Sequence, residues 1–294
     1  PDMLGLWEDT HIEGHRAIVD ACHRYGTVML VQISHAGMQT HEACGPMKGP
    51  SRVPWRDKES EALTREEIHQ IRDQFIVAAV RAQKAGYDGI QLHACHSYLI
   101  NQFICARVNL RTDEYGGSVE NRARFGCEII RGIREACGAD FLISARTPGA
   151  EPTLEDAFAI ADAYIEAGVD YLQISGGIGP QDIPYPENLP YGWIAWIGTQ
   201  MHRHVAGRVP VSVVCGILDP GLAFQLLEDG LSDTVDACRA LLSDPTWARA
   251  VIEGTRFVRC HDCKRCLWSP GLPHQCPAAR QRQKLGQVSV DLAE

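Results

Sequence analysis

The run Asp88-Gly89-Ile90-Gln91-Leu92 leads without a break into His93-Ala94-Cys95-His96-Ser97-Tyr98-Leu99-Ile100-Asn101-Gln102-Phe103. The chain then closes this region on Asn109-Leu110-Arg111-Thr112-Asp113-Glu114-Tyr115-Gly116-Gly117. A short apolar run followed at once by two histidines and a tyrosine, and then by a polar turn-forming segment, reads as a strand feeding a reactive loop. In a (β/α) barrel, chemistry sits at the C-terminal ends of the strands, which is where this pattern puts it.

Working outward, five more short apolar runs predict strands at 28–34, 141–146, 169–175, 209–214 and 234–237, beside the one at 88–92. Helical signals separate them. Thr10 and Glu13 have capping-box spacing for a helix to about residue 25, and Thr64 and Glu67 have it for a helix ended by Gly86. Further helices are expected from Ser118 to Gly138, from Thr153 to Gly168, over 192–205, from Asp219 to Gly230, and from Ser243 to Gly254. Near-continuously apolar strands joined through helices read as parallel and buried on both faces. The expected fold is an α/β (β/α)8 TIM barrel lacking its first two strands in this chain. A doubly wound sheet is disfavoured because polar residues recur at strand ends around the whole set, not at one switch point. The expected division is a barrel over 1–255 and a C-terminal cysteine segment and tail over 256–294. The loops 38–63 and 180–193 are expected to shape the pocket.

The chain has 294 residues, 45% of them hydrophobic, with a net charge of −9. That length suits one barrel of about 250 residues better than two small domains. An acidic chain argues against a nucleic-acid partner. No apolar run reaches membrane-spanning length, and the N-terminus has no signal-peptide pattern. Eight of the twelve cysteines are scattered and four cluster near the C-terminus, which suggests a cytoplasmic protein with one metal site and not a disulfide scaffold.

His93-x-x-His96-x-Tyr98 is the first chemical constellation. Two imidazole N–H groups can polarise one oxygen, and a neighbouring phenol can deliver a proton. The plain alternatives are packed loop side chains or a metal site, the latter disfavoured because no carboxylate stands near. Cys260-x2-Cys263-x2-Cys266-x9-Cys276 is the second. Four thiolates at this spacing suit a [4Fe–4S] cluster or a structural zinc, and spacing alone does not separate them.

The stretch from Ile90 to Phe103, with Asn109 to Ser118 and Glu120 to Phe125, resembles the signature of the Old Yellow Enzyme family of FMN oxidoreductases. It is most similar to the iron–sulfur branch containing 2,4-dienoyl-CoA reductase, 2-enoate reductase and trimethylamine dehydrogenase. The resemblance implies an eight-stranded barrel with FMN at its C-terminal mouth. It implies that His93 and His96 hold a substrate oxygen while Tyr98 donates the proton as hydride leaves the flavin. It places Gln32 at the flavin pyrimidine, Arg146 near flavin N1, and Gly216, Cys238 and Arg239 at the phosphate. Where the family has Gly-Gly-Ile and Gly-Arg, this chain has Cys215-Gly216-Ile217 and Cys238-Arg239, so side chains stand where glycine admits the phosphate. For Cys260, Cys263, Cys266 and Cys276 the resemblance points to [4Fe–4S]; the nine-residue gap is shorter than the family's, which leaves zinc or a lost cluster as the lesser alternatives.

The amine dehydrogenases of this branch resemble Tyr-x-x-His at the catalytic pair. His93 therefore favours reduction of an activated C=C bond in an enone, enoate or dienoyl substrate over oxidative N-demethylation of a methylated amine. A catalytically inactive barrel serving as an electron-transfer or structural subunit is the reading of a different class. The family's first two strands would precede Leu4, so the expectation is a missing N-terminus or a truncated homologue. No Gly-x-Gly-x-x-Gly is present. Electrons are then expected from NAD(P)H directly or from a separate electron-donor subunit, with a small-molecule substrate, no membrane partner and a homo-oligomeric assembly.

Overall fold

The computed structural model describes residues 4–179, 183, 185–189, 191–214, 216–269, 271–272 and 275–285; Cys215 and much of the loop 180–190 lie outside them. Six strands form one parallel sheet: β1 (Leu30–Ile33), β2 (Gly89–His93), β3 (Leu142–Pro148), β4 (Tyr171–Ser175), β5 (Val211–Val213) and β6 (Thr234–Val235). Their spatial order is their chain order, and every pairing is parallel. A doubly wound sheet would reverse order at a switch point, whereas sequential winding is the arrangement of a (β/α) barrel.

The central strands are largely buried on both faces, as expected, but only one of the two faces is apolar. Ile33, Ile90, Leu92, Ile143, Ala145, Leu172, Ile174 and Val211 belong to one buried core that also takes in side chains of the helices. The alternate residues, Gln32, Gln91, Ser144, Arg146, Gln173 and Ser212, hydrogen-bond or stand in register across the opposite face. One sheet face therefore packs on helices and the other is polar, as the period of two in strand side chains requires.

The main covering helices are α1 (Ile12–His23), α2 (Arg65–Ala85), α4 (Val119–Cys137), α5 (Leu154–Ala167) and α6 (Trp193–Val205), each packed on the next. A buried six-residue helix, α3 (Leu99–Ile104), follows β2. Beyond β5 come α7 (Pro220–Glu228), α8 (Arg239–Ser243), α9 (Trp247–Glu253) and α10 (Pro277–Lys284). The Thr64 capping box forms as expected: its side chain accepts from Glu67 N, and Glu67 accepts from Thr64 N. The Thr10 box does not. A 3-10 turn, Asp9–His11, precedes α1, and the Thr10 hydroxyl donates to Glu8 at 2.8 Å.

The loop after β1 is an ordered flap containing two small ladders, Lys48–Gly49 with Glu61–Ala62 and Pro54–Trp55 with Lys58–Glu59. Arg111 pins it, donating to Pro50 O at 2.9 Å and to Leu63 O at 2.7 Å while paired with Asp113 at 2.6 Å. Gly116 lies against this arginine's backbone; a Cβ there would meet Arg111 O at 2.3 Å. The segment 109–117 is thus scaffold, holding the flap against the barrel mouth. Arg122 on α4 is 4% exposed and satisfies Ile104 O, Gly117 O and Asp156, tying α3, the following turn and α5 together.

These contacts rank two substitutions. Thr64→Ala removes one cap and is expected to cost about 1 kcal/mol. Arg122→Ala strands buried carbonyls and a carboxylate and is expected to cost about 3 kcal/mol. Denaturant midpoints check this order; a larger loss for Thr64→Ala would contradict it.

Candidate active site

β2 ends at His93, and the chain then turns sharply. Ala94 N donates to Arg146 O at 2.8 Å, continuing the ladder to β3 by one residue. His96 and Ser97 next adopt left-handed backbone, with φ of 56° and 65°. Non-glycine residues rarely occupy this region, and neighbours must hold them there. His96 N donates to Gly176 O at 3.2 Å, and Ser97 N donates to Asn101 Oδ1 at 2.9 Å. Asn101 in turn donates to Glu151 Oε2 at 2.9 Å, and the same oxygen accepts from Ile178 N at 2.6 Å. Glu151 is fully buried, and burial raises its pKa. One carboxyl thus joins the loop after β2 to the loop after β4.

This folding brings His93, His96 and Tyr98 together. The His93 ring lies 5.3 Å from that of His96 and 4.5 Å from that of Tyr98, centre to centre. His93 is buried, whereas His96 and Tyr98 are half-buried. Tyr98 sits at the N-cap of α3, whose Phe103 ring packs tilted against Phe125 of α4, 4.6 Å centre to centre, so the phenol is mounted on the core. Burial, followed by the nearby His96 and Arg146, pushes the His93 pKa down to about 4. Burial and Arg146 lower that of His96 as well. Both imidazoles are neutral near pH 7, and a neutral imidazole donates one N–H.

Arg146, paired in register with His93, belongs to the same site. Its Nη2 donates to Ser175 Oγ at 3.4 Å, and Ser175 Oγ lies 2.7 Å from His96 Nε2. Nε of Arg146 is buried and has no hydrogen-bond partner among the described residues. Gln32 is exposed on the polar face and donates to Gln91 Oε1 at 2.6 Å, and Gln91 donates to Ser144 Oγ at 3.1 Å. Across the sheet, Asp236 accepts from Gln173 at 3.0 Å and from Ser212, and burial raises its pKa. Gln91, Ser144, Gln173, Ser175, Ser212, Asp236 and Glu151 were not singled out from the sequence. Polar residues at every second strand position were the available signal for most of them.

The expected phosphate residues stand further round the mouth. Gly216 has φ of 81°, and a Cβ there would meet nothing within 4 Å, so its backbone is open to a ligand. Cys238 is exposed at the start of α8. The Arg239 guanidinium pairs with Asp262, in the cysteine segment. Cys260, Cys263, Cys266 and Cys276 line one small pocket together with Arg239 and Leu267. Cys276 is the N-cap residue of α10, and Val258 N on the incoming chain donates to the buried Asp244 at 2.8 Å. Arg259, exposed on the surface, pairs with Asp219 at 2.9 Å.

A family profile described as the NADH:flavin oxidoreductase / NADH oxidase family matches residues 1–174. The chain is 38% identical over 278 residues to an NADH oxidase of Thermoanaerobacter brockii, covering 90% of this chain and 42% of that protein. It is 33% identical over 256 residues to an NADPH dehydrogenase of Bacillus licheniformis, covering 84% of this chain and 72% of that protein. Its structure matches that of a 2-naphthoyl-CoA reductase in complex with 2-naphthoyl-CoA, with a TM-score of 0.82 and 26% identity over 93% of this chain and 47% of that chain. Morphinone reductase in complex with tetrahydroNAD matches with a TM-score of 0.71 and 27% identity, covering 86% of this chain and 73% of that one. The chain spans 42% of the length of the Thermoanaerobacter brockii protein and 39% of that of a metal reductase of Desulforamulus reducens, to which it is 32% identical over 262 residues. Among the described residues no helix is long and apolar enough to cross a membrane. With the six-stranded sheet matching these (β/α)8 enzymes and the sequence similarity running over most of its length, the chain belongs to the NADH:flavin oxidoreductase / NADH oxidase family.

Proposed function

We propose that this barrel reduces an activated C=C bond, in an enone, enoate or dienoyl substrate, at the expense of NAD(P)H. The observation that carries the reading is the convergence of His93, His96 and Tyr98 on one pocket beside Arg146. FMN, when bound, supplies the hydride for such a reduction. The residues present suit that group: the buried, unpartnered Nε of Arg146 is a donor awaiting an acceptor, Gln32 lies on the same polar face, and Gly216 offers open backbone. Gln32 and Arg146 would hold the ring system, and Gly216, Cys238 and Arg239 would hold the phosphate. For Arg239 this requires release from Asp262.

In this reading His93 and His96 bind the carbonyl oxygen and stabilise the negative charge that grows on it. Their depressed pKa values make them neutral hydrogen-bond donors, and the adjacent Arg146 supplies the fixed positive charge. Ser175 orients the His96 ring. Tyr98, with its ring against His93, protonates the carbon α to the carbonyl. A relative named for its reduction of 2-naphthoyl-CoA supports a conjugated acyl substrate, and relatives named NADH oxidase and NADPH dehydrogenase support a nicotinamide donor.

For the cysteine segment we favour a [4Fe–4S] cluster. Zinc, with Zn–S of about 2.3 Å, draws its sulfurs to about 3.8 Å from one another. The donor set with all ligand atoms within 4.8 Å among the described residues is His93, Cys95 and His96, and not these four cysteines. The four cysteines line one pocket, and four thiolates are the ligand set of such a cluster.

Three measurements test this. Tyr98→Phe is expected to slow 2-cyclohexen-1-one turnover about 10²-fold or more while NAD(P)H still bleaches the flavin at the wild-type rate; unchanged turnover would refute the proton-donor role. Arg146→Leu is expected to weaken FMN binding at least about tenfold, read by quenching of flavin fluorescence. Anaerobically purified protein is expected to contain about four iron atoms and four acid-labile sulfides per chain, and one zinc with neither would overturn the cluster assignment.

A further inference from the structure

His93, Cys95 and His96 place one ligand atom each, two imidazole nitrogens and a sulfur, within 4.8 Å of one another. The Cys95 sulfur is 3.8 Å from His93 Nδ1. Around a tetrahedral zinc ion, with Zn–S about 2.3 Å and Zn–N about 2.0–2.1 Å, sulfur and nitrogen stand roughly 3.5 Å apart. The three donors are therefore already near metal-ligand spacing. The backbone that carries them is held from both sides, by Ala94 N on Arg146 O at 2.8 Å and by His96 N on Gly176 O at 3.2 Å. Ser175 Oγ, 2.7 Å from His96 Nε2, is the kind of outer partner that orients a ligating imidazole.

We propose that His93, Cys95 and His96 form a binding site for a borderline-soft divalent cation of the Zn²⁺ type, with three protein donors and one open position. Binding exchanges the Cys95 thiol proton for the metal: a Zn–S bond forms, one H⁺ leaves to solvent, and no oxidation state changes. The resulting thiolate offsets part of the repulsion between the cation and Arg146. Two of the three donors are the histidines assigned to the substrate oxygen, so metal and substrate exclude one another, and micromolar zinc acts as a competitive inhibitor. That competition rests on the oxyanion reading proposed above; the metal site itself does not.

The test is isothermal titration of the purified flavoprotein with ZnCl2, its iron and zinc content measured first, for wild type, the near-isosteric Cys95→Ser and the C-terminal Cys260→Ser. Wild type and Cys260→Ser are expected to share one zinc equivalent that Cys95→Ser binds at least tenfold more weakly. Equal binding by wild type and Cys95→Ser overturns the site, as does a shared equivalent lost only in Cys260→Ser. His96→Ala supplies a second check should Cys95→Ser fold poorly, and zinc binding unaffected by it also overturns the site. In turnover assays zinc is expected to raise the apparent KM for 2-cyclohexen-1-one in wild type and much less in Cys95→Ser. A zinc equivalent confirmed by titration that leaves KM unchanged overturns the overlap with the substrate oxygen while the metal site stands.

Discussion

The structure depends on a division of labour within each strand. Successive side chains of an extended chain point to opposite faces, so a parallel sheet covered by helices on one side must keep apolar residues at every second position. Ile90 and Leu92 meet that demand on β2, Ile143 and Ala145 on β3, and Leu172 and Ile174 on β4. The intervening positions are then free of the core and carry Gln91, His93, Ser144, Arg146, Gln173 and Ser175. A polar interior is costly unless its groups are paired. Here the side chains largely pair with each other across the strands, from Gln32 through Gln91 to Ser144 and from Gln173 to Asp236. Arg146 Nε is an exception, and it lies where the proposed cofactor would bring an acceptor.

The same constraint locates the residues proposed to react. His93 and Arg146 are register partners at the C-terminal ends of adjacent strands, so the barrel ladder itself sets their separation. His96 and Tyr98 lie beyond the ladder, and their placement depends on a left-handed turn that local sequence does not favour. That turn is held by the loop after β4 through Gly176 O, by Asn101, and through Asn101 by the buried Glu151. A polar group buried behind the proposed catalytic loop is expensive, and its use here is to fix the geometry of residues in front of it.

The C-terminal segment is tied to the barrel by charge as well as by packing. Asp262, between two of the clustered cysteines, takes the guanidinium of Arg239, and Arg259 takes Asp219 of the turn before α7. The arginine proposed for the phosphate therefore stands between two anionic claims, one from within the chain and one from a ligand. Coulomb attraction at such partly exposed sites is modest, so either partner can prevail.

Much was legible in the amino-acid sequence alone. Thr64 with Glu67, Ser118 and Thr153 announced their helices because a cap is a local hydrogen bond. The six strands and their parallel alternation with helices followed from short apolar runs, and His93, His96 and Tyr98 were conspicuous because they cluster within six residues after one of them. What required the tertiary structure was everything set by contact between distant segments. Thr10 lost its capping role to a 3-10 entry, and Leu99–Ile104 became helix because its apolar side chains could all be buried at once. Ser175, Glu151 and Asp236 joined the site only when parallel pairing set their strands or loops side by side. Arg111 proved to be a clasp for the flap, and Arg239 a partner of Asp262. Local propensity is written in neighbouring residues; the partners of a polar side chain across a sheet are written in the fold.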